Sequence, residues 1–114
     1  MARILVTGTD ADLRELYAFW LTRTGHHVEV APTRPQDVRS TATEPFDAVV
    51  VDCDATSHAC GAAVRAVRDL PGHARVPIVM LTADATGRDV EEATQAGVDV
   101  ITGRFRCATV VPTM

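Results

Sequence analysis

Along the chain, short runs of apolar, β-branched residues alternate with segments whose apolar positions recur every three to four residues. Residues 3–7 run from Arg3 through Ile-Leu-Val-Thr and stop at Gly8, the signature of a short buried strand. Asp10 or Asp12 can then cap a helix in which Leu13, Leu16, Tyr17, Trp20 and Leu21 form one apolar stripe at i, i+3, i+4, i+7 and i+8. Thr24-Gly25 closes that helix, because glycine accepts the left-handed conformation that follows a helix end. Phe19 lies off the stripe, where a single exposed aromatic is ordinary.

His27 to Ala31 is the second strand, and Pro32 and Pro35 bracket a turn before a weaker helix over 36–43. Pro45 breaks the chain. The run Phe46 to Asp52, "FDAVVVD", is apolar until it ends in a carboxylate, as expected of a strand buried on both faces, and it sets Asp52 at that strand's C-terminal end. A helix over 61–70 is stopped by Pro71-Gly72, and "VPIVMLT" over 76–82 is a further buried strand ending in the hydroxyl of Thr82. The spacing predicts one more helix over 87–96, with Gly97 as its stop, and a last strand over 98–102. Strands and helices alternating in this way predict an α/β fold with a parallel sheet and right-handed crossovers, whose chemistry sits at the strands' C-terminal ends.

At 114 residues the chain is long enough for one domain and too short for two. The domain is placed over 1–105 and a short tail over 106–114, since no full closing helix fits after Phe105 and Pro112 interrupts what remains. A shortened or missing terminal helix would leave part of the last two strands uncovered, so burial against another copy or a partner is expected. The apolar runs are strand-sized, which predicts no membrane span, and the absence of a secretion signal makes the cytoplasm the expected location. Net charge is −4, with acids and arginines interspersed, so there is no basic stripe for nucleic acid. All 11 basic residues are arginine, which removes lysine-dependent phosphate loops and Schiff-base chemistry.

The order of these segments carries a resemblance. "ILV" opening the first strand, "RELYAFWLTRTGHHV", "FDAVVVD", "VPIVMLTA" and "EEATQAGVD" together resemble a response-regulator receiver domain from Arg3 to about Phe105. The resemblance implies a flavodoxin-like, doubly wound parallel sheet of five strands in the order 2-1-3-4-5. It also implies a module that accepts a phosphoryl group from a histidine kinase on an aspartate, with a divalent ion and a basic side chain neutralising the phosphoryl oxygens.

Residue by residue, the phosphoacceptor position falls on Asp52 and the switch hydroxyl on Thr82. The basic position falls on Arg104, where the family has lysine, and a shift of one residue would put Gly103 there instead. Arginine keeps the charge but is a planar fork suited to carboxylate pairing, so an Asp52 to Arg104 ion pair is expected to hold the loops in one state without phosphate. The acidic pair that holds magnesium falls on Gly8 and Thr9, which offer no carboxylate; Asp10 and Asp12 are the possible substitutes. The aromatic switch position falls on Ile101, and the family's proline and Asp-Gly after the acceptor are replaced by Thr56 and by Ala59-Cys60.

Departures concentrated at the site, over intact strand and helix cores, predict a degenerate or pseudo-receiver that acts by protein contact and is not an enzyme. Its partner is expected to be itself, as a homodimer, or a signalling protein such as a histidine kinase. No cofactor is expected, and Mg2+ only if Asp52 is a working phosphoacceptor, which is the alternative reading. A second alternative is a nucleotide- or flavin-binding protein that uses the Thr7 to Asp10 turn at the first helix's N-terminus, although the later glycines of a dinucleotide fingerprint are missing. Cys53, Cys60 and Cys107 are an odd set of expected free thiols that matches no zinc pattern, and His26 and His27 are expected at the surface.

Overall fold

Each buried strand of this chain is five or six residues of mostly β-branched or aliphatic side chains, and each is separated from the next by a crossover too long for a hairpin, so the strands pair in parallel. The computed structural model describes residues 2–53, 59–82, 91 and 94–103. Its strands are β1 (Arg3–Gly8), β2 (His27–Pro32), β3 (Ala48–Cys53), β4 (Ile78–Thr82) and the shorter β5 (Val100–Gly103), and its helices are α1 (Ala11–Arg23), α2 (Pro35–Thr41) and α3 (Ala59–Asp69). The five strands form one parallel sheet in the order β2-β1-β3-β4-β5. This is the flavodoxin-like order that the sequence resemblance implied.

Element ends move by one or two residues from the expected ones. Phe46 is buried ahead of β3, which starts at Ala48 and runs on to Cys53, so Asp52 is the strand's penultimate residue. Of the helix expected over 87–96, Glu91 and residues 94–96 are helical, and Gly97 follows with φ 108° as the expected stop. The rest of that helix, Arg104, Phe105 and the tail lie outside the described residues.

Two apolar layers lie on opposite faces of the sheet. Alternation along β3 sends Val49, Val51 and Cys53 into the layer that contains Val38 of α2 and Val64 and Val67 of α3. Ala48 and Val50 face the other way and join Tyr17 and Leu21 of α1. The single stripe expected along α1 does not survive as a buried surface. Leu13, Tyr17 and Leu21 meet the sheet, whereas Leu16 and Trp20 are about half exposed, at 48% and 50%. A helix lying on a flat sheet buries an arc of roughly 100°, and these two side chains fall beyond it.

The pole of the sheet at the strands' N-terminal ends is held by polar clasps. Arg68 near the end of α3 donates from Nη1 to the carbonyl oxygens of Val76 (2.7 Å) and His73 (3.2 Å), and from Nη2 to that of Gly97 (2.6 Å) and to Asp99 Oδ2 (3.2 Å). Asp99 Oδ2 also accepts from the Ile78 amide at 2.8 Å, so one guanidinium ties α3 to the entries of β4 and β5. A side chain at Gly97 would meet Arg68 Nε at 3.1 Å, a second reason besides the positive φ for glycine there. His73, buried, accepts the Phe46 amide on Nε2 at 3.0 Å, which leaves Nδ1 to carry the proton towards the Pro71 carbonyl at 2.9 Å. His27 is exposed beside Glu29, as expected, but His26 is half-buried and accepts the Ala2 amide on Nδ1.

Replacing Arg68 by alanine leaves three carbonyls and a carboxylate without their shared donor. Arg68→Ala is expected to lower unfolding stability by about 2 to 3 kcal/mol in a denaturant titration, with the far-ultraviolet spectrum unchanged.

Candidate functional site

In a parallel sheet wound on both faces, groups brought to the strands' C-terminal ends are the ones free to meet a ligand. Here those ends are Gly8, Asp52 and Thr82. Gly8 is in direct register with Asp52, so the acceptor-position aspartate sits one strand away from a residue with no side chain. Thr82 is in register with Cys53 and thus one step beyond Asp52, whose own partner on β4 is Leu81. Asp52 is fully buried and Thr82 is 2% exposed.

Glycine at position 8 is a packing requirement. A Cβ there would lie 2.9 Å from Asp52 Cβ and 2.9 Å from the Asp52 carbonyl oxygen, closer than real Cβ atoms come. No carboxylate-bearing residue fits at this point of β1 unless the strands move apart. The space is used by α1 instead. Arg14 lays its stem over Gly8, with Cγ 3.5 Å from the position of the absent Cβ, and its Nη1 donates to the Gly8 carbonyl at 2.6 Å.

The same helix supplies a residue that the sequence reading placed only in the core. Tyr17, one turn after Arg14, is 4% exposed and donates its hydroxyl towards Asp52 Oδ1 across 3.4 Å. A buried tyrosine is apolar along its ring and polar at its tip, and the tip here ends at the carboxylate. The sequence signal was the coincidence of a hydroxyl-bearing aromatic in the apolar stripe with a strand ending in Asp, which periodicity alone does not distinguish from a phenylalanine. Behind the site, Cys60 Sγ lies 3.9 Å from the Asp52 carbonyl oxygen, and Cys53 and Cys60 are both buried.

The two acids offered as substitutes for the missing pair sit at the start of α1. Asp10 is the N-cap, and its Oδ1 accepts from the amides of Asp12 (2.9 Å) and Leu13 (3.2 Å). The amides that a phosphate would need at this helix end are therefore already bonded to a carboxylate. Asp12 and Thr9 are exposed. Thr7, fully buried beside Gly8, has a hydroxyl oxygen with no hydrogen-bond partner among the described residues. Arg104 and Thr56 lie outside the described residues, and Ile101 packs half-buried against the α2 and α3 layer.

The fold as a whole has counterparts among solved structures. Chemotaxis protein CheY4 of Vibrio cholerae superposes with a TM-score of 0.79 at 20% identity, covering 99% of this chain and 98% of that one. The receiver domain of sensor histidine kinase PA1611 from Pseudomonas aeruginosa PAO1 gives 0.76 at 25% identity, over 98% and 95% of the two chains. A response regulator protein from Burkholderia multivorans gives 0.68 at 24%, over 99% and 94%. The chain has the receiver-domain fold. No protein-family model matches the sequence, and no curated protein matches it.

The PA1611 receiver domain holds a magnesium ion in its active-site cleft. The described residues of the present chain do not fit such an ion. Magnesium takes near-octahedral oxygen ligands and favours carboxylates, yet position 8 excludes any side chain and a guanidinium is bonded to the carbonyl beside it.

Neighbouring positions on β1 should respond to an added methyl group with opposite signs. Gly8→Ala is expected to cost about 1 to 3 kcal/mol, because its Cβ must push β3 away. Thr7→Val removes an unsatisfied buried hydroxyl at constant shape and is expected to raise stability by about 1 kcal/mol; chemical denaturation of both variants checks the pair.

Proposed function

We propose that this chain is an atypical receiver-like module of two-component signalling that works by protein–protein contact, without magnesium-dependent phosphorylation at Asp52 as its switch. The observation that carries the reading is the register of Gly8 against Asp52, which puts a forced glycine where a metal carboxylate would have to stand. The module spans 1–105 and is not an enzyme. It works in the cytoplasm, in line with the absence, among the described residues, of any helix long and apolar enough to cross a membrane.

A contact function is supported by where the apolar surface lies. Leu16, Phe19 and Trp20 of α1 are 48%, 56% and 50% exposed. Val30 is on the same face of β2 as Val28, which packs under α1, and Val100 is in register with Val79 of the same layer. Thus every large apolar side chain that is exposed among the described residues belongs to the α1 side of the sheet. Val30 and Val100 sit on the two opposite edge strands, whereas Leu16, Phe19 and Trp20 share one face of α1, and an apolar helix face of this kind marks a contact surface more often than scattered single residues do. The partner is a second copy of the chain or a signalling protein such as a histidine kinase.

The second reading, a working phosphoacceptor, is favoured by the position of Asp52 and Thr82 at adjacent strand ends. Intact mass after incubation with a small-molecule phosphodonor, with and without magnesium and with Asp52→Ala as control, separates the two. The contact reading expects no adduct; a magnesium-dependent adduct that vanishes in Asp52→Ala establishes the second reading. For the contact surface, Trp20→Arg is expected to leave stability within about 0.5 kcal/mol while weakening self-association or kinase capture, followed by sedimentation and by pull-down.

A further inference from the structure

We propose that the guanidinium of Arg14 supplies here the positive charge that a divalent cation supplies in a magnesium-loaded receiver, and that the site in consequence takes no divalent cation. The inference deepens the contact reading above and rests on its view of Gly8. Three observations meet at this residue. The Arg14 stem lies over Gly8, its Cγ in contact distance, 3.5 Å, of the position a Cβ would take. The Gly8 carbonyl, an oxygen at the strand end that a metal could use, accepts from Arg14 Nη1 at 2.6 Å. Arg3, Arg34 and Arg68 pair with carboxylates, whereas Arg14, half-buried, faces none among the described residues.

A guanidinium carries five donors and stays protonated at any physiological pH. One of those donors is spent on Gly8, and Arg14 makes no other hydrogen bond among the described residues. The charge therefore stands over the C-terminal end of β1, beside the strand whose Asp52 carboxylate is fully buried. Such an arrangement lowers the cost of keeping a carboxylate in a dry site, and it repels a small dication from the same few ångströms. Gly8 and Arg14 are in contact: a Cβ on Gly8 would touch the stem at 3.5 Å, a longer side chain would have to displace it, and loss of the stem leaves a void over Gly8.

The test is a magnesium chloride titration of the full chain without phosphodonor, at constant ionic strength, followed by amide resonances in 1H–15N spectra. The wild type is expected to show no saturable shift at Gly8, Thr9 or Asp52 up to tens of millimolar. Arg14→Glu, which replaces the charge by a carboxylate, is expected to gain saturable shifts at those positions. Arg14→Gln, which keeps a donor for the Gly8 carbonyl, is expected to gain weaker ones, and serves alone if Arg14→Glu loses its dispersed spectrum. Saturable shifts in the wild type overturn the proposal, as do folded Arg14 variants that remain as inert as the wild type. A metal-independent phosphoryl adduct on Asp52 would sink the contact reading and leave this proposal standing.

Discussion

β1 and β3 meet at a point where one strand carries no side chain and the other carries a buried carboxylate. That meeting of Gly8 and Asp52 sets most of what surrounds it. A carboxylate in a dry sheet needs polar partners, and β1 cannot supply one from position 8, so α1 must come close enough for Tyr17 to reach Asp52 and for Arg14 to reach the Gly8 carbonyl. The Asp10 cap fixes where that helix begins, and hence which turn lies over the strand ends. With Arg14 and Tyr17 directed inward at the site and Leu13 and Leu21 at the sheet, Leu16, Phe19 and Trp20 are left facing out. The exposed aromatics are thus a consequence of how the site is held.

The two poles of the sheet treat their polar groups differently. At the N-terminal ends of the strands, Arg68, Asp99, His73 and Asp47 are each engaged with backbone groups from another segment, and the Arg3 guanidinium stands 5.1 Å over the Phe46 ring. Such long-range clasps fix the strand entries and leave little to rearrange. At the C-terminal ends, among the described residues, Thr7 has a buried hydroxyl without a partner and Arg14 faces no carboxylate. Each pole keeps one buried polar atom without a hydrogen bond among the described residues, Arg3 Nε at the first and Thr7 Oγ1 at the second, so what sets the first pole apart is the reach of its clasps and not complete polar satisfaction.

Strand identity was legible in the sequence because β3 and β4 are continuously apolar and the stop signals Gly25, Gly72 and Gly97 are placed where positive φ is needed, whereas the strand order came from the resemblance to receiver domains. The placement of Asp52 and Thr82 followed from the same runs. What periodicity could not give was the depth of each α1 residue, since Leu16, Trp20, Tyr17 and Leu21 share one stripe and differ only in where the flat sheet ends beneath them. Nor could it give the reason for Gly8. A glycine at a strand end reads as a turn residue or a lost carboxylate, whereas its cause is a distance to Asp52 that exists only after the strands have paired. His26 was misplaced for a similar reason, its partner being the Ala2 amide 24 residues away.

Ile101 bears on how any change at Asp52 would travel. It is half-buried against the core layer on the α2 and α3 side, with no ring to swing and no polar tip to follow a strand-end oxygen. Tyr17 has both a ring and a hydroxyl, and the hydroxyl already points at the carboxylate. Its ring packs in the layer under α1, so moving the hydroxyl moves the helix that carries Leu16 and Trp20. A side chain between two rigid elements transmits a displacement only if it touches both, and Tyr17 does so where Ile101 does not reach Asp52's face of the sheet. The receiver-domain fold is thus kept, and one hydrogen bond from Asp52 runs through Tyr17 into α1, the helix whose outer face carries Leu16, Phe19 and Trp20.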